Sequence, residues 1–225
     1  LIKAVVFDFD GTIMDTETVA YEAFRSVFRE HELELPLALW AQAIGTLNGP
    51  FDPYRELETG TGRPVDRKAV DAKFNDYYYG AVHHVPLLPG VIDALEEAKH
   101  LGLRVGLATS SYREWIEPHL QRHGLLKYFD AIHTADEVDK VKPDPALYKR
   151  ALASFGLEGT EAVAVEDSLN GLRAAKGAGL YGIVVPNPMT ASMNFAEADL
   201  VVPSLDGQKL AMLIAHLEAQ AEERR

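Results

Sequence analysis

Seven side chains able to carry reactive chemistry fall at four points of the sequence: Asp8 with Asp10, Thr109 with Ser110, Lys142, and Glu166 with Asp167. The run Asp8-Phe9-Asp10-Gly11-Thr12 sets two acids either side of one residue, with a glycine that permits a tight turn. One such carboxylate can attack phosphorus and form an acyl phosphate. The other can protonate the leaving oxygen and later deprotonate a water. Thr109-Ser110-Ser111 offers hydroxyls and turn amides suited to phosphate oxygens. In Lys142-Pro143-Asp144-Pro145 the proline disfavours helical backbone at Lys142, whose ammonium can neutralise a carboxylate and a phosphate together. Glu166-Asp167-Ser168 places two acids after an apolar run, which is costly unless a cation balances them. Mg²⁺ suits such a site, since it takes oxygen ligands and keeps several waters. Asp8, Asp167 and the backbone carbonyl near Asp10 would supply its protein ligands. Singly, each segment has an ordinary reading: an acidic turn, a helix cap, a solvated lysine, and an N-cap by Ser168.

Their weight comes from the elements that must position them. Short apolar runs at residues 2–7, 103–108, 131–133, 162–165, 182–185 and 200–202 read as buried strands. Amphipathic stretches between them read as helices, as in residues 91–101, where Val91, Leu95, Ala98 and Leu101 share a face before Gly102. Alternating strands and helices predict a Rossmann-like parallel sheet covered on both faces. All strand C-termini of such a sheet open on one edge, where ligands bind. Acids, hydroxyls, a lysine and further acids thus converge there.

Residues 16–86 break the alternation. They show two amphipathic helices, marked by Val19, Phe24, Val27 and Phe28 and by Val70, Phe74, Tyr77 and Tyr78. Pro50, Pro53, Gly60, Gly62 and Pro64 suggest loops between them. The expected organisation is α/β: a catalytic core from residues 1–15 and 87–225, and a small all-helical cap domain, 16–86, inserted after the first strand. Hinges are expected near residues 14–17 and 85–89. Tyr77-Tyr78-Tyr79 covers too wide an arc of a helix for all three to face the core, which leaves the cleft, an interface and ordinary surface open for at least one.

The chain's 225 residues carry a net charge of -12. That balance argues against nonspecific nucleic-acid binding. With no cysteine, thiolate zinc sites, cysteine nucleophiles and disulfides are excluded. No apolar run approaches the length of a membrane span, and the first ten residues show no leader pattern. A cytoplasmic protein is expected.

The four segments, in this order and setting, resemble the haloacid dehalogenase-like hydrolase superfamily over nearly the whole chain. The resemblance implies that Asp8 is the nucleophile, Asp10 the general acid/base, Thr109 the phosphate-binding hydroxyl with Ser110 beside it, and Lys142 the charge-balancing lysine. Asp167 would bind Mg²⁺ together with Asp8 and Asp10, with Glu166 adjacent. Gly171 completes a Glu-Asp-Ser-x-x-Gly pattern similar to that of the β-phosphoglucomutase branch and its phosphatase relatives. Mutases of that type place a His, an Arg and a Lys on the cap where Ala20, Asn48 and Phe74 stand here. The expectation is therefore hydrolysis of a small phosphorylated metabolite. The alternatives are a sugar phosphomutase and a non-catalytic binding protein.

Overall fold

The computed structural model describes residues 1–47 and 49–223. Strands β1 (Ala4–Phe7), β2 (Arg104–Ala108), β3 (Ala131–His133), β4 (Ala162–Glu166), β5 (Tyr181–Val184) and β6 (Leu200–Val201) form one sheet in the order β3-β2-β1-β4-β5-β6. Every neighbouring pair is parallel. The chain builds outward from β1 on one side, then crosses back to build the other side from β4. This creates a switch point where the β1 and β4 ends lie side by side.

Alternation along the strands sorts their side chains between two cores. Val5, Phe7, Val105, Leu107, Val163 and Val165 pack against α5 (Val91–His100), α6 (Arg113–Arg122) and α9 (Leu210–Glu223). Ala4, Val6, Ala162 and Ala164 face α7 (Ala146–Phe155) and α8 (Leu169–Gly177). A slip of one residue would exchange the two faces, so the register is strongly specified.

Between residues 16 and 82 the described residues form four helices: α1 (Thr16–Glu30), α2 (Leu37–Trp40), α3 (Pro53–Thr61) and α4 (Arg67–Val82). They close around Tyr21, Phe24, Val27, Phe28, Trp40 and Leu57. The loops expected between residues 50 and 64 are mostly helix α3. Asp52 caps it by accepting from Tyr54 and Arg55 N–H, Pro53 occupies its first turn, and Gly62 ends it at φ +68°. Proline and glycine punctuate this helix at its two ends rather than breaking it. Where the chain enters and leaves the helical insert, Met14 bridges Leu87 and Leu88 N–H donates to Ile13 O at 2.9 Å. No helix among the described residues is long and apolar enough to cross a membrane.

Candidate active site

Asp8 continues β1 by one residue, its N–H donating to Val165 O at 3.0 Å. Its side chain therefore meets those of Glu166, the last residue of β4, and Asp167. Lys142 arrives from the loop before α7 and is fully buried. Its Nζ donates to Asp8 Oδ1 at 2.5 Å and to Glu166 Oε1 at 2.6 Å. The Tyr148 hydroxyl, from α7, also donates to Glu166 Oε1. Two buried carboxylates thus share one ammonium, with Asp167 beside them as a third acid. Burial, reinforced by the Glu166 and Asp10 charges, pushes the Asp8 carboxyl up to about 7 against the pull of Lys142. Burial and the Asp8 and Glu166 charges likewise raise Asp167. Burial works against the Lys142 charge, but Asp8 and Glu166 outweigh it and raise its pKa.

Asp8, Glu166 and Asp167 each bring an oxygen within 4.8 Å of the others. Glu166 Oε2 and Asp167 Oδ1 are buried without a hydrogen-bond partner. Two orphaned anionic oxygens in an all-oxygen donor set fit a hard divalent cation such as Mg²⁺. Asn187, which follows β5, fixes the other Asp167 oxygen: its Nδ2 donates to Asp167 Oδ2 at 2.7 Å and to Gly11 O at 3.1 Å. The glycine of the Glu-Asp-Ser-x-x-Gly run has a physical reason here. A Cβ on Gly171 would lie 1.9 Å from Glu166 Oε2.

Asp10 stands outside this carboxylate cluster. The Thr16 hydroxyl donates to its Oδ1 at 2.7 Å, Trp115 Nε1 to the same oxygen at 3.3 Å, and the Ser111 hydroxyl to Oδ2 at 2.5 Å. Thr109 Oγ1 accepts from Ser111 N–H at 3.0 Å and lines the adjoining cavity. Ser110 spends its hydroxyl hydrogen on Gly45 O in the insert, at 3.0 Å. Asn170 Nδ2 likewise donates to Ile44 O at 2.8 Å, so these two residues dock the insert onto the core.

The cavity, about 480 Å³, lies between the sheet edge and the insert. Asp8, Asp10, Thr109, Ser110 and Ser111 line its floor, and Glu17, Ala20 and several aromatic side chains line the insert side. Of the tyrosine run, Tyr78 reaches this cavity and packs on Trp115 with ring centroids 5.0 Å apart.

This arrangement has relatives. A family model described as "Haloacid dehalogenase-like hydrolase" matches residues 5–185. The chain belongs to that family. It is 40% identical to the putative phosphatase YhcW of Bacillus subtilis, over 98% of this chain and 100% of the relative. It is 32% identical to hexitol phosphatase B of Escherichia coli, over 91% of this chain and 93% of the relative. A crystal structure of a mutant of CbbY from Rhodobacter sphaeroides, in complex with xylulose-(1,5)bisphosphate, superposes with a TM-score of 0.69 at 30% identity. It covers 92% of this chain and 96% of that one.

Within this haloacid dehalogenase-like frame, all seven residues marked in the sequence meet at one end of the sheet. Of the expected metal ligands, the Asp8 and Asp167 carboxylates meet with Glu166 beside them, while the Asp10 side chain turns to Thr16 and Ser111, which leaves the backbone carbonyl as its expected contribution. Lys142 reaches between two carboxylates rather than toward solvent. Sequence reading missed Tyr148, Asn187, Thr16 and Trp115, and gave Glu17 no role beyond a hinge. Of the cap positions compared with mutases, Ala20 lines the cavity, and Phe74 stacks on Tyr78 and packs against Phe24 in the insert core. Asn48 lies outside the described residues. Arg55 and Arg63 are exposed and line no part of this cavity.

Proposed function

We propose that this chain is a magnesium-dependent phosphatase that removes phosphate from a small phosphorylated metabolite through a phosphoryl-Asp8 intermediate. The observation that carries the reading is the excess of buried carboxylate over ammonium beside a cavity. It leaves orphaned oxygens on Glu166 and Asp167 and sets Asp8 at the cavity floor. The names of YhcW and hexitol phosphatase B agree with it.

Asp8, Asp167 and Glu166 would hold Mg²⁺, with Asp10 contributing through its backbone carbonyl. When bound, the ion supplies Lewis-acid charge that offsets carboxylate and phosphate repulsion. Lys142 fixes Asp8 Oδ1, while Oδ2 has a long contact, 3.5 Å, from the Thr12 hydroxyl. Oδ2 attacks phosphorus as the bond to the leaving alcohol breaks, and Asp10 gives that alcohol its proton. Water deprotonated by Asp10 then attacks phosphorus and frees Asp8. Thr109 donates to a phosphate oxygen. Residues 16–86 serve as a cap that shields the reaction from bulk water, over a core formed by 1–15 and 87–225.

The contacts of Asp10 suit both steps. Thr16 and Ser111 hydroxyls can donate or accept, whereas the Trp115 indole can only donate. Trp115 therefore keeps Oδ1 as the acceptor, and the transferable proton rides on Oδ2 beside Ser111. Trp115→Phe keeps a ring against Tyr78 but loses this constraint. The expected result is about a tenfold lower kcat on alkyl phosphates, whose poor leaving groups need the acid, less than the roughly 10²- to 10⁴-fold that general acid catalysis supplies because Asp10 itself remains. Aryl phosphates should change little. Equal losses on both would refute the role given to Trp115.

Chelation tests the metal reading. A phosphate-release assay in excess chelator should fall to background and recover on adding Mg²⁺. Full activity in chelator would overturn the magnesium requirement. The mutase alternative would need cationic and acid/base groups on the cap, and Ala20 offers neither at the cavity wall.

A further inference from the structure

Two acids of the cluster share a pattern in how their oxygens are held. On Glu166, Oε1 accepts from the Lys142 ammonium at 2.6 Å and from the Tyr148 hydroxyl, while Oε2 is bare. On Asp167, Oδ2 accepts from the Asn187 amide at 2.7 Å, while Oδ1 is bare. Each carboxylate thus has one oxygen engaged by a protein donor and one buried without a partner among the described residues. Lys142 and Tyr148 are part of the buried charge cluster. Asn187 is neutral and comes from the segment after β5, so its place beside Asp167 needs a separate reason.

The Asn187 side chain has only one orientation open to it. Its Oδ1 accepts from Met189 N–H at 2.9 Å, so the amide NH₂ group must be the end that faces Asp167. The same nitrogen donates to Gly11 O at 3.1 Å, in the loop that carries Asp8 and Asp10. The backbone is fixed as well. Asn187 N–H donates to Thr190 Oγ1 at 3.0 Å, and Thr190 and Ala191 N–H donate to Asn187 O at 3.0 and 2.9 Å. Within this turn Met189 is buried in the aromatic cluster of the insert that contains Phe24 and Trp40. The approach to the acid is close: a Cβ on Gly11 would lie 2.2 Å from Asp167 Oδ2 and 2.7 Å from Asn187 Nδ2. An amide anchored at so many points holds Oδ2 in place and keeps it from turning toward an ion.

A carboxylate with one oxygen engaged can offer a cation only the other. Ca²⁺ takes about six to eight oxygens and often both from one carboxylate, whereas Mg²⁺ takes about six, several of them water. We infer that Asn187 is a positioning residue that makes Asp167 a one-oxygen ligand and thereby sets a preference for Mg²⁺ over Ca²⁺. The inference rests on the metal reading of this site and goes beyond it, because it assigns the choice of ion to a residue that does not itself ligate. Without the amide, Asp167 is free to turn both oxygens to one ion, which suits Ca²⁺ and leaves Mg²⁺ with a poorly oriented ligand.

The test measures binding rather than turnover. The full chain is titrated calorimetrically with MgCl₂ and, separately, with CaCl₂ at one pH. The parent should bind Mg²⁺ more tightly than Ca²⁺. Asn187→Ala should weaken Mg²⁺ by about tenfold, the lower end of what loss of an outer hydrogen bond to a ligand costs. Ca²⁺ should weaken much less or gain, so the ratio of the two Kd values moves toward Ca²⁺. General loosening of the site would weaken both ions together and leave the ratio unmoved. If the alanine variant does not fold, Asn187→Asp replaces it: it keeps the shape and the acceptor for Met189 N–H, offers Asp167 no donor, and must move the ratio the same way. A parent that prefers Ca²⁺, or a ratio unchanged by the substitution, overturns the inference and leaves the metal reading standing. A parent that binds neither ion overturns both.

Discussion

Asp8→Asn should lower turnover by on the order of 10³-fold or more while leaving the fold intact, because it removes the covalent step and with it the nucleophile. The amide is nearly isosteric with the carboxylate and keeps an oxygen for Lys142, so packing is preserved. The deficit should appear in kcat for alkyl and aryl phosphates alike, since a good leaving group does not substitute for a missing nucleophile. Steady-state phosphate release, paired with a urea unfolding curve, checks both halves. A variant that is folded and still hydrolyses at a substantial fraction of the original rate would remove Asp8 from the chemistry.

Lys142→Met should be the most damaging single change to stability near the site. Lys142 is buried between Asp8 and Glu166 and is the ammonium their cluster holds. Removing one partner of a buried ion pair costs about 3–5 kcal/mol, and phosphate would lose the same counter-charge. Turnover should fall by roughly 10²- to 10³-fold, the scale seen when an electrostatic stabiliser is deleted.

The pH dependence of the metal-free protein has a definite sign. Folding raises the Asp8 carboxyl from 3.8 to about 7, so the folded state binds the extra proton. The stabilising contribution is complete below about pH 3.8 and is lost as pH rises toward about 7. Mg²⁺ supplies positive charge in place of the proton, so its addition should stabilise the protein more at pH 8 than at pH 5. Thermal unfolding with and without Mg²⁺ at the two pH values measures this, for Lys142→Met and for the parent chain. Equal stabilisation by the ion at both would contradict the account of the cluster.

Much of this site was legible in the sequence because strand ends keep local order. Asp8, Thr109 and Glu166-Asp167 each follow or end a short apolar run, and parallel pairing carries those ends to one edge without further information. Tyr148 and Asn187 were not legible, since their roles depend on how α7 and the segment after β5 approach the cluster in space. Nothing near Tyr148 in sequence points to Glu166. Trp115 was hidden in an ordinary amphipathic helix, and only tertiary packing aims its N–H at Asp10. Helix α3 was missed for a local reason: Pro53 and Gly62 suggested loop residues, although Asp52, Pro53 and Gly62 hold the N-cap, first-turn and C-terminal places. The grouping of Glu166 with Asp8 and Asp167 turns on side-chain direction, which neighbours in sequence share poorly.

The central claim is that phosphate resides on Asp8 during turnover. Acid-quenching the enzyme during steady-state hydrolysis in Mg²⁺, then reducing with borohydride and mapping peptides by mass spectrometry, tests it directly, since an acyl phosphate is reduced to the alcohol and an unmodified carboxylate is not. The account predicts homoserine in place of Asp8 in the peptide spanning β1, dependent on substrate and Mg²⁺ and absent from Asp8→Asn. Active enzyme with no modification, or with the modification at Asp10 or Asp167, would contradict it.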